Sequence, residues 1–183
     1  MKSNEPIMPA EQAIALYNLF RAHGIVVWVD GGWGVDALLG RQTRRHSDLD
    51  IALRHSDVLR LRALLRERGY RDVPRDDTRA CNFVLGDDLG HQIDVHSFEL
   101  DTQGNNVFGC EYRSEHLTGE GGAISGQVVK CVPPRHIIVF HTGYKIDEDD
   151  ANDVKALCDS FGIEMPEEHK AHWKKTAVGL GHP

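Results

Sequence analysis

The chain has 183 residues, 40% hydrophobic and 27% charged, with a formal net charge of -7. That length suits one domain with a core, or one domain with a small appendage. An acidic balance speaks against a nucleic-acid surface as the main partner, because phosphate recognition wants clustered Lys and Arg. No apolar run approaches the roughly 20 residues of a membrane span, and Met1 to Pro6 lacks a secretory apolar stretch, so a cytoplasmic protein is expected. Cys81, Cys110, Cys131 and Cys158 form no CxxC pair, which argues for free thiols over a zinc site or disulfide framework.

Along the chain, Pro9 to about His23 reads as a helix with Ile14, Tyr17 and Phe20 on one face. Ile25 to Val29 is a β-branched apolar run, hence a buried strand. Gly31-Gly32 breaks it, and Trp33 to Leu39 reads as a short helix closed by Gly40. Ser47 to Leu53 alternates polar and apolar residues, the mark of a strand with one wet face. Ser56 is the expected N-cap of a helix from Asp57 to Arg68, whose stripe is Val58, Leu61, Leu64 and Leu65. Cys81 to Leu85 and Gln92 to Phe98 read as strands joined through Asp87-Asp88-Leu89-Gly90.

Residues 99 to 127 are expected to be a long connection with one short strand near Val107-Phe108. Val128 to Val132 suggests another strand, Pro133-Pro134 opens a helix to Tyr144, and a further helix runs from Asp150 to Phe161. This order predicts an α+β (α/β-like) fold with a mixed sheet flanked by helices. The expected organisation is a main domain over 1–132, a C-terminal helical part packed on it over 133–165, and a polar tail over 166–183.

Three features carry chemistry. Asp48 and Asp50 stand at i and i+2 of one strand, on the same face, roughly 6.5–7 Å apart at Cα. Such carboxylates repel unless a cation lies between them, and Mg²⁺ suits oxygen ligands of this kind, though two solvated acids on a wet face fit the same pattern. Gly31 and Gly32 at a strand–helix junction allow close approach to a phosphate, or serve only as a tight turn. Asp94 lies within a second strand and can complete a three-carboxylate cluster as metal ligand and general base, or simply face solvent.

Gly31-Gly32-Trp33, Asp36, Gly40, Thr43-Arg44, His46, Asp48 and Asp50 together resemble the signature of antibiotic nucleotidyltransferases of the DNA polymerase beta superfamily. The stretch Trp28 to Arg44 is most similar to the small lincosamide nucleotidyltransferases. Aminoglycoside adenylyltransferases share the sparser pattern, and Asp94-Val95-His96, His141 to Tyr144 and Asp153-Val154-Lys155 extend it thinly. The resemblance implies a mixed five-stranded nucleotidyltransferase sheet and transfer of a nucleoside monophosphate from ATP or another NTP to an antibiotic hydroxyl.

By the same resemblance Asp48, Asp50 and Asp94 are the catalytic metal ligands for Mg²⁺, two ions being expected, with Asp94 also the base. Gly31 and Gly32 bind the nucleotide phosphates. Arg44 either neutralises the triphosphate or pairs with Asp36, and Lys145 and Lys155 are weaker phosphate-binding candidates. A lincosamide is the expected acceptor and an aminoglycoside the alternative. A further alternative is an antitoxin-like module that modifies or binds a partner protein. The expected partners are the antibiotic and the NTP, with neither nucleic acid nor membrane, and a homodimer is suggested.

Overall fold

A computed structural model describes residues 7–118 and 121–179. The chain divides into two compact units, Met1–Val132 and Pro133–Pro183. The first contains α1 (Ala10–Ala22), β1 (Val27–Val29), α2 (Gly31–Leu39), β2 (Asp48–Arg54), α3 (Val58–Arg66), β3 (Arg71–Val73), β4 (Asn82–Gly86), β5 (Gln92–Leu100), β6 (Asn106–Gly109), β7 (Gly122–Ile124) and β8 (Gln127–Val129). The second contains α4 (Pro134–Phe140), α5 (Glu148–Phe161) and α6 (Glu167–Gly179).

The main sheet runs β1-β2-β5-β4-β3, with β6 pairing β5 as a sixth strand. Only β2 and β5 are parallel, so the sheet is mixed and the fold α+β. β4 pairs β5 from Gln92 to His96, and β6 takes up the pairing from Phe98 onward. Cys81 and Cys110 flank that handover: Ser97 N–H donates to Cys81 O, and Cys110 N–H donates to Ser97 O. β7 and β8 form a separate hairpin.

Alternation along the two parallel strands divides the sheet chemically. Leu49, Ile51, Leu53, Ile93 and Val95 are buried in one core with Phe20 of α1 and Leu61 and Leu65 of α3. Their neighbours Asp48, Asp50, Asp94 and His96 leave the opposite face. Burying about five branched side chains at roughly 1.5–3 kcal/mol each fixes the register, because a one-residue slip would exchange core and carboxylates.

Several elements depart from the sequence reading. α2 begins at Gly31, so the glycine pair is the first turn of the helix and Asp30 is its N-cap. Ser56 is no cap: it lies in a 3-10 turn, His55–Asp57, and its N–H donates to Glu99 Oε1 at 2.8 Å. β3 was not anticipated; the short strand expected near Val107-Phe108 is β6, but the stretch 99–127 also holds a 3-10 turn at Ser114–Leu117 and β7 where only connection was expected. The helix after Pro133 stops at Phe140, and most of the expected polar tail is α6. The last four residues of that tail, like the expected leaderless start at Met1 to Pro6, lie outside the described residues.

In the second unit, Asp147 caps α5 by accepting from Asp150 N–H at 2.9 Å, and Gly162 closes that helix in the left-handed region. His169, fully buried, bonds His141 O at 2.7 Å. No helix among the described residues is long and apolar enough to cross a membrane.

Candidate active site

Residues from β2 and β5 meet where the parallel register sets Asp50 opposite Asp94. Asp50, Asp94 and His96 each offer a ligand atom, and these atoms lie within 4.8 Å of one another. His96 Nε2 is 3.6 Å from Asp50 Oδ1 and 3.7 Å from Asp94 Oδ1. Asp94 Oδ1 is buried and has no hydrogen-bond partner among the described residues. Asp48 stands two residues earlier on the same strand face, outside this tightest group but near enough to be affected by both carboxylates.

Crowding shows in the pKa values. Burial pushes Asp48 up to about 6, the charge of Asp50 adds to this, and Asp94 contributes further. Asp94 is likewise raised to about 6, chiefly by burial and then by Asp50, while His96 opposes the shift. His96 sits well above its ordinary value: burial disfavours its charge, but Asp50, Cys110 and Asp94 outweigh that. Sequence reasoning passed over His96 as a site residue, although its i+2 spacing from Asp94 places it on the same face.

Folded Asp48 and Asp94 bind protons more tightly than the unfolded chain, so their contribution is most favourable below roughly pH 4 and is lost as pH rises through about 6. Asp94→Asn should therefore raise the Tm of chelator-treated protein near neutral pH by a few degrees, on the order of 1–2 kcal/mol. Below about pH 4 it should change little, since aspartate is protonated in both states there. A lowered Tm at neutral pH in thermal melts would contradict this account.

The glycines serve the site through what they lack. Gly31 has φ +54°, and a Cβ there would lie 2.1 Å from Asp50 Oδ2, so the carboxylate rests directly against its backbone. At Gly32 a Cβ would lie 2.5 Å from both Arg44 Nη2 and His46 Nδ1. The missing side chains thus admit Asp50 on one side and a guanidinium on the other. Gly31 N–H donates to Asp30 Oδ1 at 2.9 Å. The N–H groups of Gly32 and Trp33 have no intrahelical acceptor in this first turn.

Asp36 organises the following loop. Its Oδ1 accepts from Thr43 N–H at 3.0 Å and from the Thr43 hydroxyl, and its Oδ2 bonds His46 Nε2. His46 is buried and packs against Trp33, with ring centroids 4.4 Å apart and the rings tilted by 45°. Trp33 is a core anchor whose Nε1–H donates to Met8 O at 3.2 Å. Arg44 Nη1 donates to Arg45 O at 3.2 Å while Nη2 reaches the space above Gly32. In the second unit Lys155 pairs with Asp159, and Lys145 is exposed.

The sequence profile of the aminoglycoside-2''-adenylyltransferase family matches residues 12–157. A lincosamide resistance protein of Staphylococcus haemolyticus is 27% identical over 162 residues, covering 86% of this chain and 98% of that protein. A 2''-aminoglycoside nucleotidyltransferase of Escherichia coli is 31% identical over 67 residues, 35% of this chain and 38% of that protein. The fold is shared with the lincomycin-bound lincosamide antibiotic adenylyltransferase LnuA, at TM-score 0.71 and 23% identity over 82% of this chain and 97% of that one. It is also shared with ANT(2'')-Ia in complex with adenylyl-2''-tobramycin, at TM-score 0.67 and 20% identity over 92% and 98% of the two chains. The chain belongs to the aminoglycoside-2''-adenylyltransferase family.

Proposed function

We propose that this protein transfers a nucleoside monophosphate from ATP or another NTP to a hydroxyl of an antibiotic, with a lincosamide as the acceptor. The observation that carries the reading is the cluster of Asp50, Asp94 and His96, with the buried Asp94 Oδ1 lacking any donor among the described residues. An unsatisfied buried carboxylate oxygen is costly, and a divalent cation satisfies it. Asp50 and Asp94 fit Mg²⁺ as oxygen ligands, with Asp48 beside them. When bound, the cation offsets negative charge on the phosphates and the leaving pyrophosphate.

The chain's own residues have the remaining roles. Asp94, whose pKa burial raises to about 6, is suited to accept the acceptor hydroxyl's proton as the oxygen–phosphorus bond forms and the bond to pyrophosphate breaks. The N–H groups of Gly32 and Trp33, which lack intrahelical acceptors, and the positive end of α2 favour a phosphate, and the Arg44 guanidinium beside Gly32 adds charge and directional donors.

Lincosamide is preferred because similarity to the Staphylococcus haemolyticus protein runs nearly end to end. The aminoglycoside reading has its own support in the family match and the shorter Escherichia coli similarity. Of the acids available for a polycation, Asp87 is committed to the β4–β5 turn, where it accepts from the N–H groups of Leu89 and His91. A panel assay with both drug classes in competition separates the readings. Lincomycin or clindamycin should gain a nucleotidyl group in preference to kanamycin or tobramycin. Exclusive modification of the aminoglycosides would overturn the acceptor assignment.

A further inference from the structure

We infer that Asp30 and Tyr112 form a buried positioning pair that sets the placement of Asp50 and so tunes the metal site. This rests on Asp50 being a metal ligand, as proposed above.

Three ties converge on Asp30. Its N–H donates to Asp50 O at 3.0 Å, its Oδ1 accepts from Gly31 N–H at 2.9 Å, and its Oδ2 accepts from the Tyr112 hydroxyl at 2.6 Å. Asp30 is 5% exposed and Tyr112 4%. Burial raises the pKa of Asp30, and the bond from the Tyr112 hydroxyl opposes that shift.

Asp50 is in direct contact with this turn. Its carboxylate rests against Gly31, where even a methyl group would collide at 2.1 Å. Any rotation of the Asp30–Gly31 peptide therefore moves the surface that supports the Asp50 side chain. Asp30 fixes that peptide through Gly31 N–H, and Tyr112 fixes Asp30.

Tyr112 comes from the segment between β6 and β7, far from Asp30 in sequence. Its own placement is determined by Asn106 Nδ2 donating to Tyr112 O at 3.0 Å and by ring packing against Phe98 at 5.3 Å and His116 at 6.3 Å. Trp28 Nε1–H, from β1, secures the end of the same segment through Leu117 O at 2.9 Å. A stretch of chain that contributes no carboxylate to the cluster is thereby bonded to the residue next to it. For packing alone, two apolar groups would serve as well as this buried bond.

The test uses Tyr112→Phe, Asp30→Ala, the combination of the two, and Asp30→Asn, whose amide can still accept from Gly31 and donate to Tyr112. Mn²⁺ affinity is read by electron paramagnetic resonance without nucleotide, well below each variant's Tm, alongside steady-state kinetics. Outer partners of metal ligands typically control affinity by about tenfold or more. Tyr112→Phe and Asp30→Ala should each weaken Mn²⁺ binding and raise the KM for ATP by about that factor, leaving the KM for the acceptor unchanged within about twofold. The double variant should be no worse than the poorer single, and Asp30→Asn should recover most of the loss.

Unchanged Mn²⁺ affinity with only a lowered Tm would overturn the proposal, as would losses that multiply in the double variant. If the wild type transfers no nucleotide while the variants still weaken Mn²⁺ binding as expected, the pair stands and the assigned reaction fails.

Discussion

Asp50→Asn should lower nucleotide transfer by about three orders of magnitude or more, roughly 4 kcal/mol of transition-state stabilisation, with the fold intact. Asp50 is the carboxylate to which the site is tied most closely. It lies opposite Asp94, pairs with His96 at 3.6 Å and rests on the Gly31 backbone. Asparagine preserves its shape and removes the charge that a divalent cation needs. Because the substitution also relieves repulsion on Asp48 and Asp94, stability should hold or rise. Turnover retained within about tenfold of wild type, measured as kcat with protein of unchanged circular dichroism, would refute the assignment of Asp50 as a metal ligand.

Gly31→Ala is the second large effect. The new methyl must displace Asp50 Oδ2 from 2.1 Å, and φ +54° is a conformation that L side chains rarely adopt. Together these should cost about 2–4 kcal/mol of stability and reduce transfer by about 100-fold or more, since a shift near 1 Å at a reacting group is enough for that. Gly40→Ala is the control: its φ is +68° but nothing lies within 4 Å of its missing Cβ. It should lose only about 1 kcal/mol and keep its activity. Equal losses from the two substitutions, in denaturant melts and initial rates, would mean that strain alone accounts for Gly31.

Much of the fold was legible because the signals were local. Period-two alternation in Asp48 to Leu53 and in Gln92 to Phe98 marked both central strands and put the aspartates on one face. The stripe of Val58, Leu61, Leu64 and Leu65 marked α3. β3 escaped notice because three residues, Arg71–Val73, are too few to show a period, and their strand character comes from pairing with β4. α6 read as a tail since its polar sequence carries little apolar periodicity, while its buried His169 is held by a carbonyl 28 residues away.

The site was partly legible for the same reason. Asp48 and Asp50 could be singled out from spacing, Asp94 as a polar residue within a second strand, and the glycines from their position after a strand. That Gly31 and Gly32 open a helix could not, because glycine normally signals a break, and here the Asp30 cap and the close packing of Asp50 and Arg44 outweigh its low helix propensity. The Tyr112–Asp30 bond joins residues 82 apart and leaves no trace in local pattern. His96 joined the cluster only once the parallel register of β2 and β5 placed it beside Asp50.

Cation-dependent nucleotide transfer to an antibiotic hydroxyl at the Asp50–Asp94 site can be tested in a single assay. The most direct measurement incubates the purified protein with ATP and lincomycin, with Mg²⁺ or with chelator, and follows pyrophosphate release and product mass together. One nucleotidyl group per drug molecule and one pyrophosphate per product should appear, both abolished by the chelator and by Asp50→Asn. Product formed at the same rate in chelator, or no product from any lincosamide or aminoglycoside with Mg²⁺ present, would contradict it.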